Sequence, residues 1–420
     1  MRFVSATLAL PFALSVGLVR ADLTLLEPKE GDTVSQLWPE VKAFLDLPRT
    51  VRASHAQNLS ATEKSAFKAH RGAKPVEFAW TGAADGVYTL KVVRKDDGRV
   101  FHSSTVTGLT ASVCGRLEIG REWVWTVSDG VSTATGSFLT EDRAPRIVRF
   151  DRVGNARDLG GWRTTDGRRV RQGLAFRTAG LNDNAKSEYY TYDEIVALFK
   201  AGRLEGAGVG KGALGLSRDY AAKIGRGNGI DPNFIRLIKT PPAGPGESRL
   251  TAADRDYLLN DLKVRSDLDL RGDWETFGML FSPIDRNVNW FHYETVRGYA
   301  GIVSPIGRGC QALNFSVFAN KANYPIVFHC IGGTDRTGTL AFLLNALLGV
   351  GEEDLIRDYE MSFIASGGVD ARHYAWLTGL VNAVNGLPGE TLVDKVCGYY
   401  LSLGFSREDL DAFRTRMLEL

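Results

Sequence analysis

At 420 residues the chain is longer than one hydrophobic core usually organises, so two domains are the expectation. Its 44% hydrophobic content is ordinary, and 51 basic against 49 acidic side chains leave a formal net charge of +2. That balance excludes a whole-chain electrostatic case for nucleic acid or a membrane surface, so any anion site is local.

Met1-Arg2 makes a short basic start, Phe3 to Val19 is apolar, and Val19-Arg20-Ala21 sets small or branched residues at a cleavage position. The pattern predicts a signal peptide over residues 1–21 and an exported protein, periplasmic or secreted. A retained anchor fits less well, because the apolar stretch is short and carries Pro11 and Arg20. No integral membrane segment is expected after cleavage.

Residues 22–143 carry the signals of a β-sandwich. Pro75 to Trp80, Val87 to Arg94, Val100 to Thr107, Glu122 to Ser128 and Thr133 to Leu139 are short runs rich in aromatic and β-branched residues. Turn pairs such as Asp97-Gly98 and Asp129-Gly130 separate them. Trp123, Trp125 and Val127 alternate onto one face, as core residues do. With the run Arg121 to Val127 before a last strand, the stretch resembles fibronectin type III and related immunoglobulin-like domains. Pro39 to Lys74 departs from that pattern, and Ser60 with Glu63 reads as a capping box opening a short helix. Glu141 to Arg146, charged and containing Pro145, reads as a linker.

From residue 147 to 420 strands alternate with helices, which implies an α/β domain with a central sheet flanked by helices. Leu250 to Asp261 is amphipathic, Val264 to Leu270 is a strand candidate, and Ile326 to Phe328 is a short buried strand. Thr337 to Leu348 then reads as a helix stopped by Gly349. An insertion is expected at about 186–248, where Ala201 to Gly229 is rich in glycine and reads as a surface excursion.

Between the buried strand and the helix stands His329-Cys330-Ile331-Gly332-Gly333-Thr334-Asp335-Arg336-Thr337-Gly338. A strand, a tight glycine-bearing loop and a helix amino terminus make an anion cradle, because backbone N–H groups turn inward and the helix dipole adds positive potential. The same field favours a thiolate at Cys330. Five residues separate Cys330 from Arg336, enough for the loop to wrap a phosphate while the guanidinium returns to grip two of its oxygens. Ile331, Gly332, Gly333, Thr334, Asp335, Arg336 and Thr337 are therefore the expected phosphate-binding residues, with the Thr337 hydroxyl within reach of the sulfur. The cysteines at 114, 310, 330 and 397 are too few and scattered for a disulfide framework or a zinc site. Whether Cys310 and Cys397 pair is open at this point.

The motif HCxxGxxRTG resembles that of the cysteine phosphatases, the protein tyrosine and dual-specificity superfamily, and within it a bacterial tyrosine phosphatase branch with phosphoinositide-active members. Asn155 to Gly161 is similar to that branch's NxRDLGG segment, Phe176 to Leu181 to its RSG-L segment, and Asp269-Leu270-Arg271 with Glu275 to its DLR-E segment; Asp358-Tyr359-Glu360 also fits. Thr334 stands where the branch usually has Lys, which weakens the phosphoinositide reading. The resemblance implies hydrolysis of phosphomonoesters through a cysteinyl-phosphate intermediate, with no metal and no cofactor. The implied partner is a phosphorylated substrate, whether phosphoprotein, phosphoinositide or inositol phosphate, and not nucleic acid.

The resemblance favours Asp335 as proton donor, with Asp269 at a strand end as competitor. His329 is expected to orient the loop and Asp158 to support a turn. Asp273 and Glu275, in the adjoining loop, are further candidates as donors or mouth residues, though such residues are more often solvated. Two rival functions remain at this stage. One is a silent phosphate-binding module, which would need no thiolate; the other is a rhodanese-like sulfurtransferase, in which the companion segments would be unexpected.

Overall fold

The computed structural model describes residues 23–70, 72–185, 188–189, 194, 197, 238–240, 244–273, 275–295, 298–365 and 371–419. The expected signal peptide and the glycine-rich run lie outside the described residues. Packing separates two compact units, one of residues up to Asp32 with Glu77–Ser112 and Trp123–Phe138, the other of Thr33–Val76, Val113–Glu122 and Leu139–Leu420. The sequence reading cuts the chain once, near residue 143; the packing cuts it several times.

The strands of the amino-terminal region are β1 (Leu25–Glu27), β2 (Asp32–Val34), β3 (Val76–Trp80), β4 (Val87–Arg94), β5 (Val100–Thr107), β6 (Thr110–Val113), β7 (Glu122–Ser128) and β8 (Thr133–Thr140). They form a three-stranded sheet in the order β1-β3-β6 and a five-stranded sheet in the order β2-β8-β7-β4-β5. The two sheets share a core, because Phe78 of β3 lies edge-on to Trp125 of β7 at 5.0 Å and to Phe138 of β8 at 5.7 Å between ring centroids. Trp123, Trp125 and Val127 are fully buried, as the alternation requires.

Between β2 and β3 run α1 (Pro39–Asp46), α2 (Arg49–Gln57) and α3 (Ala61–Ala69). The capping box of Ser60 and Glu63 opens α3. These helices pack on the carboxyl-terminal part of their own unit. The buried Arg52 of α2 donates to Glu353 and Glu360, and Arg357 donates to the Leu45 carbonyl.

The remaining elements are β9 (Arg157–Asp158), β10 (Ala175–Thr178), β11 (Glu188–Tyr189), β12 (Ile238–Thr240), α4 (Ala252–Asp256), β13 (Ser266–Asp269), β14 (Asn289–His292), α5 (Pro305–Ala319), β15 (Ile326–His329), α6 (Asp335–Leu348), α7 (Glu352–Ala365), α8 (Ala371–Asn385), α9 (Leu392–Ser402) and α10 (Arg407–Met417). The central sheet has the order β14-β13-β15-β10-β9. Its strands are parallel except β9. β13, β15 and β10 are buried along their length, as central parallel strands must be, and α6 is buried from Thr337 to Leu348.

The amphipathic stretch from Leu250 folds as α4 followed by a π turn over Tyr257–Asp261. One expectation needs correction, because Glu141 to Arg146 is not a free linker. Arg146 is buried and donates to the Asp158 carboxylate and to the carbonyls of Leu117 and Arg116. Asp142 pairs with Arg163 and Arg169.

Candidate active site

Strand β15 delivers Cys330 to the carboxyl-terminal edge of the parallel sheet, between β13 and β10, and α6 begins at Asp335. This is the edge at which open α/β sheets place their ligands. Cys330 is 2% exposed, while Ile331 and Gly332 face solvent.

The loop is held by its carbonyls. Gly180 N–H donates to Ile331 O at 2.9 Å, Asn155 Nδ2 to Gly332 O at 2.9 Å, and Arg177 Nη2 to Gly333 O at 2.8 Å. In a trans peptide the C=O and the next N–H point opposite ways, so carbonyls drawn outward turn the following amides into the loop. Gly333 sits at φ 69°, and a Cβ there would lie 2.4 Å from the Thr178 carbonyl oxygen, which only glycine tolerates. The early NxRDLGG and RTAGL segments are thus the outer wall of the loop from Cys330 to Arg336.

Asp358 of α7 braces that wall. It accepts from Arg157 and Arg177, all three being buried, and Arg157 also donates to the Asn155 side chain. Burial alone would raise its pKa, but the two guanidinium groups outweigh that and hold the carboxyl below its ordinary range. Asp158 takes the turn-supporting role expected of it, accepting the backbone N–H groups of Gly160 and Gly173 at 2.8 and 2.7 Å.

Arg336 is fixed by Glu275. Nη1 donates to Oε2 at 2.7 Å, Nη2 to Oε1 at 3.0 Å, and Nη1 also to the Leu270 carbonyl at 3.2 Å. Glu275 is 1% exposed, which corrects the reading of it as a solvated mouth residue. Its carboxylate is buried because it pairs with Arg336 and accepts Gly272 N–H at 2.6 Å, a tertiary arrangement that the local sequence does not encode.

Asp269 is also fully buried, chelated by Arg271 through Nε at 2.9 Å and Nη2 at 2.6 Å and by the Arg271 N–H at 3.1 Å. Burial opposes its charge, yet His329 and Arg271 bring its pKa down to about 2. A carboxylate so held has no proton to give near neutral pH, which counts against Asp269 as the acid. His329 lies with Nε2 3.0 Å from Asp267 Oδ1 and Nδ1 3.8 Å from Asp269 Oδ1. Although burial works against the charged ring, those two carboxylates raise its pKa. The ring faces away from the role of base and toward the orienting role expected of it.

Asp335, at the first turn of α6, accepts a hydrogen bond from the Tyr299 hydroxyl, which in turn accepts one from Tyr359. No motif marks Tyr299, which opens a short 3-10 turn over Tyr299–Val303, 36 residues before Asp335. Thr337 Oγ1 is buried with no hydrogen-bond partner among the described residues, consistent with a hydroxyl kept for the sulfur or the phosphate. No cluster of three metal-ligating side chains is present among the described residues, and the four cysteines are unpaired.

A buried cysteine and an arginine closing a loop between a parallel strand and a helix amino terminus define the cysteine-phosphatase class of site. Residues 148–194 and 246–377 match the model of the tyrosine phosphatase family. The unmatched gap falls within the expected insertion. A relative from Cupriavidus necator, named provisionally as a tyrosine-protein phosphatase, is 27% identical over 219 residues, covering 50% of this chain and 61% of its own length. Among solved structures, the core catalytic domain of the PP-IP phosphatase SIW14 from S. cerevisiae matches 31% of this chain and 76% of its own, at 18% identity and a TM-score of 0.24. A second Siw14 catalytic core gives 17% identity and a TM-score of 0.22 over 30% of this chain and 74% of its own.

Proposed function

We propose that this protein is an exported phosphomonoester hydrolase that works through a cysteinyl-phosphate intermediate, with phosphotyrosine as leading substrate and phosphoinositides or inositol phosphates as alternatives. The observation that carries the reading is the loop itself, with carbonyls tied outward, Cys330 at its floor and Arg336 aimed by Glu275. In the first step the Cys330 sulfur attacks phosphorus, the S–P bond forms, and the P–O bond breaks with its electron pair leaving on the substrate oxygen. Asp335 gives that oxygen a proton. In the second step Asp335 takes a proton from water, the water oxygen attacks phosphorus, and the thiolate departs, with the Thr337 hydroxyl donating to it. No step calls for a metal or a cofactor. A silent binding module would have no use for the thiolate, and a sulfurtransferase none for the carboxylate that aims Arg336.

Thr334 in place of Lys supports phosphotyrosine over substrates that carry further phosphates. The amino-terminal strand order supports a fibronectin type III-like reading of that region, and the basic-apolar start supports export. The test is a screen of the protein lacking residues 1–21 against aryl phosphates, phosphopeptides, phosphoinositides and inositol phosphates with EDTA present. Cys330→Ser should abolish turnover and retain vanadate or phosphate binding, because the amide nest survives. Hydrolysis by Cys330→Ser at the wild-type rate, or strict dependence on added magnesium or zinc, would overturn the proposal.

A further inference from the structure

We propose that Tyr299, backed by Tyr359, is a positioning residue that fixes the Asp335 carboxyl as proton donor. The inference rests on the reading of Asp335 as the acid and extends it to two side chains outside the loop.

Tyr299 is tied to α6 at two points. Its hydroxyl donates to Asp335 Oδ1, and its backbone N–H donates to Thr339 Oγ1 at 3.0 Å, one helical turn further along. Gly298 permits this close approach, since a Cβ there would lie 2.2 Å from the Thr339 hydroxyl oxygen. Tyr299 itself sits at φ 62°, a left-handed conformation that a bulky side chain adopts only when its surroundings impose it. The ring is held between Trp376, 5.5 Å away, and Tyr359, 6.1 Å away, between centroids. Backbone, ring and hydroxyl are all fixed, and they are fixed relative to the helix that carries Asp335.

The hydrogen bonds run in one direction, from Tyr359 to Tyr299 to Asp335. Burial, followed by the neighbouring tyrosine and carboxylate, pushes the Tyr299 hydroxyl well above its ordinary range, and burial does the same to Tyr359. Both therefore remain donors across the working pH range. With Oδ1 taken by Tyr299, the transferable proton resides on Oδ2. Without that bond, a carboxyl at the first turn of a helix samples several rotamers, and an acid displaced by about 1 Å loses on the order of 10²-fold in rate.

The experiment measures Tyr299→Phe, Tyr359→Phe and Asp335→Asn on an alkyl phosphate and on nitrophenyl phosphate, together with vanadate affinity. An alkoxide needs a proton as it leaves; a nitrophenolate, with a pKa of about 7, needs little help. Asp335→Asn should cost the alkyl substrate roughly 10²-fold and the nitrophenyl ester far less. Tyr299→Phe should lower kcat on the alkyl substrate by about 10-fold or more, with KM, nitrophenyl turnover and vanadate affinity little changed. Tyr359→Phe, which leaves Tyr299 in place, should act in the same sense and more weakly, and Tyr299→Phe should add nothing to Asp335→Asn. A selective Asp335→Asn beside a Tyr299→Phe that is silent, or equally impaired on both substrates and in vanadate binding, would overturn this proposal alone. An unselective Asp335→Asn would overturn the donor assignment and this proposal with it.

Discussion

Arg336 spends three N–H groups on the protein, two on Glu275 and one on the Leu270 carbonyl, and both Nη1 protons are among them. That leaves the edge from Nε to Nη2 for the proposed phosphate, which is the side-on, two-point grip planar guanidinium offers. Glu275→Gln keeps the shape and removes the charge, so Arg336 should lose its aim and kcat/KM should fall by about 10-fold or more on every phosphomonoester, without leaving-group selectivity. Equal kinetics for Glu275→Gln and wild type would show that the loop alone aims the guanidinium. Asp269 belongs to a different kind of pair. Its folded pKa of about 2 lies below the unfolded carboxylate's, because His329 and then Arg271 outweigh burial, so its interactions with those two groups add stability above the unfolded pKa of ~3.9 that is lost as pH falls through about 2. The stability gap between wild type and Asp269→Asn should therefore be wide at neutral pH and narrow toward pH ~2 to 3, read by denaturant unfolding at each pH. The position of Cys330 and Arg336 at the two ends of one strand-to-helix loop was legible in the sequence, because local spacing alone decides it. The pairing of Glu275, which the sequence marks only as part of a motif, and the contact of Tyr299 were not, because each depends on which distant group the side chain touches.

Helix α7 is the element on which the site leans. On successive residues it presents Asp358 to the arginines behind the phosphate loop, Tyr359 to Tyr299, and Glu360 to Arg52 of α2. Glu360 and the Arg52 side chain are both fully buried, and burial raises the pKa of Glu360 against the pull of Arg52. Removing the cation strands a buried carboxylate, so Arg52→Ala should destabilise this unit by about 3–5 kcal/mol, measured by chemical unfolding. Arg52→Met, which restores volume but not charge, should recover little unless Glu360→Gln accompanies it. An Arg52→Ala protein with wild-type stability would show that α2 is only laid against α7. The strands from β3 to β8 that alternate over five or more residues were legible from pattern. Helix α2 was not: its sequence RTVRASHAQ lacks a continuous apolar stripe, and one of its few buried side chains is the arginine itself. The short β1, β2 and β6 escaped for want of length, three or four residues being too few to show a period.

At the scale of the whole molecule, the sequence change near residue 143 marks where the pattern of elements alters, not where packing divides. Segment 113–122 runs between β6 and β7 in the chain, yet its carbonyls accept from Gln36, Arg146, Arg169 and Gln172 of its own unit. Such bonds link residues tens of positions apart, and composition carries no trace of them. The distribution of cysteines is a second property of the whole chain, and it governs the response to oxidation. Cys330 is unpaired, as are Cys114, Cys310 and Cys397, the last two lying within α5 and α9. Under the proposed export the protein meets oxidising surroundings, where a reactive sulfur without a resolving thiol stops first at the sulfenic acid and then passes irreversibly to the sulfinic. Its 2% exposure admits peroxide to Cys330 and resists bulky disulfides. Hydrogen peroxide should therefore inactivate the protein far faster than oxidised glutathione does, vanadate should protect it, and reductant should restore activity early but progressively less with time. Peptide mapping without reduction should find sulfinic acid at Cys330 in the late sample. A disulfide from Cys330 to Cys310 or Cys397, with activity fully recoverable at all times, would show instead that the loop opens far enough to reach a resolving thiol.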